Sequence, residues 1–234
     1  MDNSNKRLPA SGTKPIVGTS ALVIAIAVLL ILLVSIATCY TSYSRKRISA
    51  DLVTQSRQIF LVGYTVAMDY AVNADTMLGW PGDLRHTAIR PLSTFEDYVD
   101  RMVRYGYVKR ENLSNLFGAP GIAKYPGTGP FWGEFSAFKF YLVRDEDDPK
   151  CIFLATKNFI YRRGLDPHAI PFGDKLACIV RKSGEAIAFS NSEDAMMKDV
   201  GLMPGHVSQD DPGEESIENV LSMESQSPAQ TNRP

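Results

Sequence analysis

Apolar and polar positions divide the chain into stretches with different patterns. Residues 16–40 are apolar at nearly every position, and no charged residue lies between Lys14 and Arg45. Because about 20 apolar residues in a helix span the hydrocarbon core of a bilayer, this stretch predicts a transmembrane helix. Residues 1–15 would then be a short basic amino-terminal arm.

The same stretch has two alternative interpretations. A cleaved secretory signal would use the small residues 35–37 as its cleavage site, although the apolar run exceeds the roughly 7–15 residues of such signals. A lipoprotein would be modified at Cys39. We expect a retained anchor, with the short arm inside and the larger remainder outside.

Beyond residue 40 the apolar positions take the period of an amphipathic helix. They recur at Ile48, Leu52, Ile59, Val62 and Val66. A spacing near 3.6 residues predicts one packed face over residues 41–72, directed at a sheet and at sister helices. No proline lies in residues 16–72, so one continuous helix is expected.

Residues 73–204 have the pattern of an α+β domain. Ser93–Glu96 reads as a capping box that precedes apolar residues at helical spacing, and Gly106 ends that helix. Strand-like runs follow at residues 135–143, 151–156 and 176–190, the last as a hairpin. They predict an antiparallel sheet of three to four strands packed on the long helix.

The last residues, 205–234, are rich in Ser, Pro, Gln and Glu and poor in large apolar residues. Such a segment buries too little apolar surface to offset the cost of ordering, so a disordered acidic tail is expected. The net charge of the chain is −1. With no basic field and no recognisable nucleic-acid-binding motif, a nucleic-acid partner is not expected.

The order of these elements resembles the type IV pilin and type II secretion pseudopilin family. A long apolar-then-amphipathic helix leads to a Pro-Gly-rich loop at Trp80–Asp83, and a further helix ends at Tyr105–Val108. The resemblance implies processing between Gly18 and Thr19. Thr19 and Val23 stand where the family motif has Phe and Glu.

Carboxylates and cysteines supply the candidate metal and redox chemistry. Asp145, Glu146, Asp147 and Asp148 are consecutive, and the resemblance together with the preference of Ca²⁺ for several oxygens makes them a calcium candidate. The alternative is a solvated turn. Cys151 and Cys178 lie in strand-like runs, where they are either buried free thiols or a disulfide between neighbouring strands.

No catalytic residue and no cofactor are expected. His168 lies near Asp166 and Asp174 in a proline-flanked loop, which makes an anchored hydrolase a minor alternative. A ligand-binding or sensor module lined by Trp80, Phe131 and Trp132 is another.

The pattern and the resemblance together predict a non-enzymatic interaction protein of the bacterial inner membrane. It would cross that membrane once, with its α+β domain extracytoplasmic. Its expected partners are the membrane, other envelope proteins or sister subunits, in a type II secretion or pilus-type assembly.

Overall fold

The structure is a computed structural model that describes residues 19–73, 79–85, 91–205 and Val220. The chain divides into two units, Met1–Lys46 and Arg47–Pro234.

One long helix, α1, covers Thr19–Asn73. The transmembrane prediction for residues 16–40 is nevertheless wrong, and so is the single-pass inner-membrane location derived from it. No helix in the described part of the chain is long and apolar enough to cross a membrane.

Four short helices belong to the second unit. They are α2 (Pro81–Arg85), α3 (Phe95–Arg104), α4 (Leu113–Phe117) and α5 (Ser192–Met197). Single turns of 3₁₀ helix lie at Arg110–Asn112 and Gly133–Phe135.

The second unit is α+β, with a four-stranded antiparallel sheet in the order β1-β2-β5-β6. Its strands are β1 (Phe138–Phe140), β2 (Ile152–Thr156), β5 (Ala177–Arg181) and β6 (Ala186–Phe189). The predicted hairpin is β5–β6, in which Ala177 faces Phe189 and Val180 faces Ala186. A second two-stranded ribbon joins β3 (Phe159–Ile160) to β4 (Gly164–Leu165).

Both faces of the sheet are covered, because nearly every residue of β2 and β5 is apolar and all are buried. The first core cluster joins one face to α1, α3 and α4, with members that include Ile59, Phe95 and Phe140. The second core cluster covers the other face and includes Tyr141, Ile152 and Phe159.

The start of α3 differs by one residue from the predicted capping box. Thr94, not Ser93, is the N-cap, and its hydroxyl accepts a hydrogen bond from the Asp97 amide at 3.2 Å. The Glu96 carboxylate accepts from the Gly133 amide at 2.6 Å. Glu96 therefore ties α3 to the loop before β1.

Candidate functional site

The first half of α1 presents an apolar surface on every side. The large aliphatic side chains that are at least half exposed here are Ile24, Ile26, Val28, Leu29, Leu30, Ile31, Leu32, Leu33, Val34 and Ile36. We call these residues the apolar segment. A helix that is apolar all round is normally buried, and an exposed apolar patch of this kind marks an interaction site.

The few polar groups at the end of the apolar segment are satisfied within the helix. The Ser35 hydroxyl donates to the carbonyl oxygen of Ile31 at 2.8 Å, and the Thr38 hydroxyl donates to that of Ser35 at 2.9 Å. These bonds let both side chains enter an apolar contact without leaving a donor unpaired.

In the second unit, α1 buries one face against the sheet. Leu52, Ile59 and Val66 of the predicted stripe are buried, while Val62 and Ile48 are partly exposed. This face also includes Gly63. A Cβ built on Gly63 would lie 2.6 Å from Cζ of Phe153, so the helix approaches β2 as closely as a glycine permits.

The opposite face of α1 carries a second series of apolar side chains. Leu61, Tyr64, Met68 and Val72 are all exposed, and Val72 is 81% exposed. We call them the outer stripe. Their spacing of three, four and four residues places them on one side of a helix, as at a helix–helix contact. The stripe was not predicted from the sequence, although the spacing alone indicates it.

The acidic turn at residues 145–148 does not form a metal site. Among the described residues, no group of three or more His, Cys, Asp or Glu side chains is arranged to hold a metal ion. The Asp147 carboxylate accepts from the Arg144 and Gly205 amides at 2.7 and 3.1 Å, and that of Asp148 accepts from the Lys150 amide at 2.7 Å. Asp145 and Glu146 complete the turn, Glu146 through an ion pair with Arg144.

A lysine ammonium supplies the positive charge at this turn. Lys182 Nζ donates to the carbonyl oxygens of Asp145 and Asp147, the latter at 2.8 Å, and lies 5.8 Å from the ring centre of Trp80. The carboxylate of Asp83 accepts from the Asp145 amide at 3.0 Å. Burial and the nearby carboxylates of Asp145 and Asp147 raise the pKa of Asp83, against the lowering effects of this hydrogen bond and of Lys182. The cluster ties α2 to the β5–β6 hairpin.

Cys151 and Cys178 are buried free thiols, so the disulfide candidate is wrong. The Lys182 amide donates to the Cys151 carbonyl, whereas the Cys178 amide donates to the hydroxyl of Thr156. The two cysteines therefore lie at opposite ends of the β2–β5 ladder, about 16 Å apart at the rise of a strand. A disulfide needs α carbons within about 7 Å.

The loop with His168 has the geometry of a turn. The backbone amide of His168, not its imidazole, donates to the Asp166 carboxylate at 2.8 Å, and the side chains of His168 and Asp174 are exposed. This is the usual role of Asp in an Asx-turn.

Of the aromatic residues of the ligand-binding alternative, Trp80 and Phe131 are buried in different parts of the core, and Trp132 is half-buried. Trp80 packs on Phe60, Tyr64 and Phe153, whereas Phe131 packs on Phe95 and its neighbours. Two open clefts beside α1, of about 440 and 500 Å³, have other linings. Both are bordered by amide side chains: Gln55, Gln58, Asn112 and Asn115.

The predicted processing site falls at the limit of the described residues. Gly18 lies outside them, and Thr19 is the first residue of α1. Cleavage between these residues stays a prediction.

Comparisons with protein-family models, with curated proteins and with solved structures find no match to this chain. The surfaces of α1 are therefore interpreted from their own geometry and chemistry.

Proposed function

We propose that this protein is a non-enzymatic, pseudopilin-like interaction protein, which assembles with sister copies through α1. The observation that carries the proposal is the apolar segment, whose large side chains are exposed all round the helix. Removing such side chains from water contributes about 1.5–3 kcal/mol each when burial is complete. Even partial burial of several of them supports a stable contact.

The outer stripe supports the same proposal from the second unit. Leu61 and Met68 are seven residues apart, which is two helical turns, and Tyr64 lies between them on the same face. Side chains in this arrangement interdigitate with those of a second helix, and the ridges of both helices set the crossing angle. The buried stripe holds α1 on its own sheet, so the outer stripe is the face available to a neighbour.

The element order supports a pilus-type or type II secretion assembly as the class of complex. A long helix, a short helix and an antiparallel sheet follow one another in the order that the family resemblance implies. Val23 occupies the position of the family's Glu, so the proposed contact between copies depends on apolar packing. An ion pair between that carboxylate and a neighbouring amino terminus is not part of it.

Cross-linking through Cys39 tests the contact at the apolar segment. This thiol is exposed and follows the segment directly, while Cys151 and Cys178 are buried, so mild oxidation of the full-length protein reports on Cys39 alone. We expect a disulfide-linked dimer in the native protein and none in Cys39→Ser. Leu32→Asp should weaken the dimer, and Asn112→Asp, a charge of the same sign at an exposed residue outside α1, is the comparison and should leave the dimer unchanged. A protein that stays monomeric at all concentrations contradicts the proposal.

The outer stripe has its own test. Leu61→Glu introduces a charge at a site that is 59% exposed, so it spares the fold and penalises a helix contact. Sedimentation equilibrium of the full-length protein should show weaker self-association than in the wild type. Asn112→Asp, which adds a charge of the same sign at an exposed residue outside α1, is the matched control and should associate as the wild type does. If the two variants weakened self-association equally, the outer stripe would not be a contact surface.

A further inference from the structure

The outer edge of β1 is the place where the sheet pairs with a distant part of the chain. β1 comes first in the sheet order and has β2 as its strand neighbour. The amide of Tyr141, the next residue after β1, donates to the carbonyl oxygen of Phe153 at 2.9 Å. Because backbone groups alternate along a strand, those of Phe140 and Leu142 face the other way, towards the outer edge.

Val220 occupies this edge. It forms an antiparallel bridge with Tyr141, a residue that precedes it by almost eighty positions. Its side chain packs against the second core cluster, to which Tyr141 also belongs. Val220 therefore combines the two contacts of an added strand, a backbone pairing at the edge and a side chain against the sheet face.

The preceding chain is fastened close to the same edge. The amide of Gly205 donates to the Asp147 carboxylate, and Asp147 lies six residues after Tyr141. Val220 lies fifteen positions after Gly205, a length that reaches at most about 50 Å when fully extended. The chain that leaves Gly205 is therefore long enough to bring its own Val220 to Tyr141.

We propose that the outer edge of β1 at Tyr141 is a strand-acceptor site, and that its occupant is this chain's own segment around Val220. The partner that fits is an extended segment with an apolar residue opposite Tyr141. Acidic residues flank Val220 in sequence at Glu215, Glu218 and Glu224. The Lys139 ammonium, 5.3 Å from the centre of the Tyr141 ring, gives the edge a positive charge that complements them.

The occupied edge has a consequence for assembly. An unpaired strand edge is a template for pairing with another chain, and proteins commonly cover such edges. With Val220 in place, the β1 edge of one copy is covered at Tyr141 and is closed there to a strand of another copy, whereas β6 forms the other edge of the sheet. This inference does not rest on assembly through α1, which uses other residues.

Hydrogen exchange in the full-length protein tests the site. Val220→Asp should raise the exchange rate of amides in residues 138–143 by about tenfold or more, because local protection depends on the pairing. Leu221→Asp is the matched control, because the proposed extended pairing of Val220 requires the next side chain to point to the opposite face. Its exchange in this region should stay as in the wild type. Unchanged exchange in Val220→Asp, or equal increases in both variants, overturns the proposal.

The exchange of α3 amides separates local opening from general unfolding. If Val220→Asp speeds exchange in α3 as much as at the edge, it acts on the whole fold, and the strand-acceptor assignment is overturned. A synthetic peptide of residues 214–224 added to Val220→Asp should restore protection at residues 138–143. The same peptide with Asp in place of Val220 should not.

Protein concentration identifies the source of the segment. Protection at residues 138–143 that is independent of concentration supports a segment from the same chain, whereas protection that grows with concentration overturns that assignment in favour of a second copy. Leu61→Glu should leave this protection unchanged. Failure of helix assembly and failure of the strand-acceptor site are thereby distinguished.

Discussion

Gly63 of α1 lies so close to Phe153 of β2 that a Cβ at position 63 would stand 2.6 Å from the ring carbon Cζ. Both residues are buried, and the Phe153 ring is held by Phe60 at 6.0 Å and by Trp80 at 5.4 Å between centres. The absence of a side chain at Gly63 therefore sets the distance between the helix and the sheet.

Gly63→Ala should destabilise the second unit. Alanine improves helix propensity by about 1 kcal/mol, but overpacking a filled core costs about 1–3 kcal/mol. We expect the overpacking cost to be the larger effect, so that the free energy of unfolding measured in urea falls by about 1 kcal/mol. Gln58→Ala, an exposed change on the same helix, should be neutral or slightly stabilising.

A double variant isolates the contact. Phe153→Leu frees space beside Gly63, so Gly63→Ala should cost less in the Phe153→Leu background than in the wild type. If the effects of Gly63→Ala and Phe153→Leu on the free energy of unfolding were strictly additive, the two positions would not be in energetically significant contact.

Gly82→Ala should be more damaging than Gly63→Ala. A Cβ at Gly82 would lie 2.3 Å from the Leu142 carbonyl oxygen and 2.7 Å from that of Val143, and the Gly82 amide donates to the latter at 2.8 Å. Backbone oxygens cannot rotate away, so we expect a loss of about 3 kcal/mol in thermal or urea unfolding.

Gly127→Ala is the control for the glycine effect itself. Gly127 has φ +84°, and a Cβ at this position would meet no atom within 4 Å, so the substitution costs only the left-handed conformation. A loss of about 1–2 kcal/mol is expected. If Gly82→Ala and Gly127→Ala lowered the free energy of unfolding by the same amount, the close approach of Gly82 to the 142–143 backbone would not explain the loss of stability.

Thiol labelling should detect one reactive cysteine of three. Burial raises the pKa of Cys151 to about 12 and that of Cys178 to about 11, the latter against a hydrogen bond with Ser56, whereas Cys39 is exposed. Because the thiolate is the reactive form, a maleimide-type or disulfide reagent near neutral pH should modify Cys39 alone in the folded protein.

Denaturation and substitution provide the comparison for labelling. All three cysteines should react in concentrated guanidinium, and Cys39→Ser should leave the folded protein unlabelled. Rapid reaction at Cys178 in the folded state would mean that α1 opens from β5, since the Ser56 hydroxyl lies 3.3 Å from the Cys178 sulfur.

Asp83→Asn should increase stability near neutral pH. The pKa of Asp83 is raised in the folded state, mainly by burial and then by Asp145 and Asp147, so ionisation of this carboxyl opposes folding. The folded state binds this proton more tightly than the unfolded state, and stability therefore falls as pH rises through the raised pKa. An asparagine oxygen still accepts the Asp145 amide.

The advantage of Asp83→Asn should disappear at low pH. Below the unfolded-state pKa, which is about 3.9, the carboxyl is protonated in both states and its ionisation no longer costs stability. Urea unfolding at several pH values measures the difference. Glu111→Gln, at an exposed carboxylate, is the control, and a pH-independent gain in Asp83→Asn would show that charge is not the cause.

Local patterns in the sequence predicted the helices and strands well where a single signal was strong. The absence of proline through residue 72 correctly predicted one continuous α1. The polar turn between two apolar runs correctly predicted the β5–β6 hairpin. The cap of α3 was placed one residue early because Ser93 and Thr94 carry the same hydroxyl chemistry. Backbone geometry at Thr94 decides between them.

The candidate site was predicted only in part, because contacts between distant segments leave little trace in local patterns. The spacing of Leu52, Ile59 and Val66 indicated a packed face, but nothing nearby signalled that Lys182 would occupy the acidic turn. Strand direction likewise separated Cys151 from Cys178, since antiparallel pairing places the start of β2 opposite the end of β5.

The sequence by itself determined that α1 is one continuous helix with a packed stripe and that β2, β5 and β6 are extended, since these follow from side-chain period and backbone preference within a few residues. Only the tertiary structure decided that Gly63 meets Phe153, that an ammonium group fills the acidic turn and that Val220 pairs with Tyr141. Each of these joins residues far apart in the chain. Their proximity depends on packing and strand register over the whole unit.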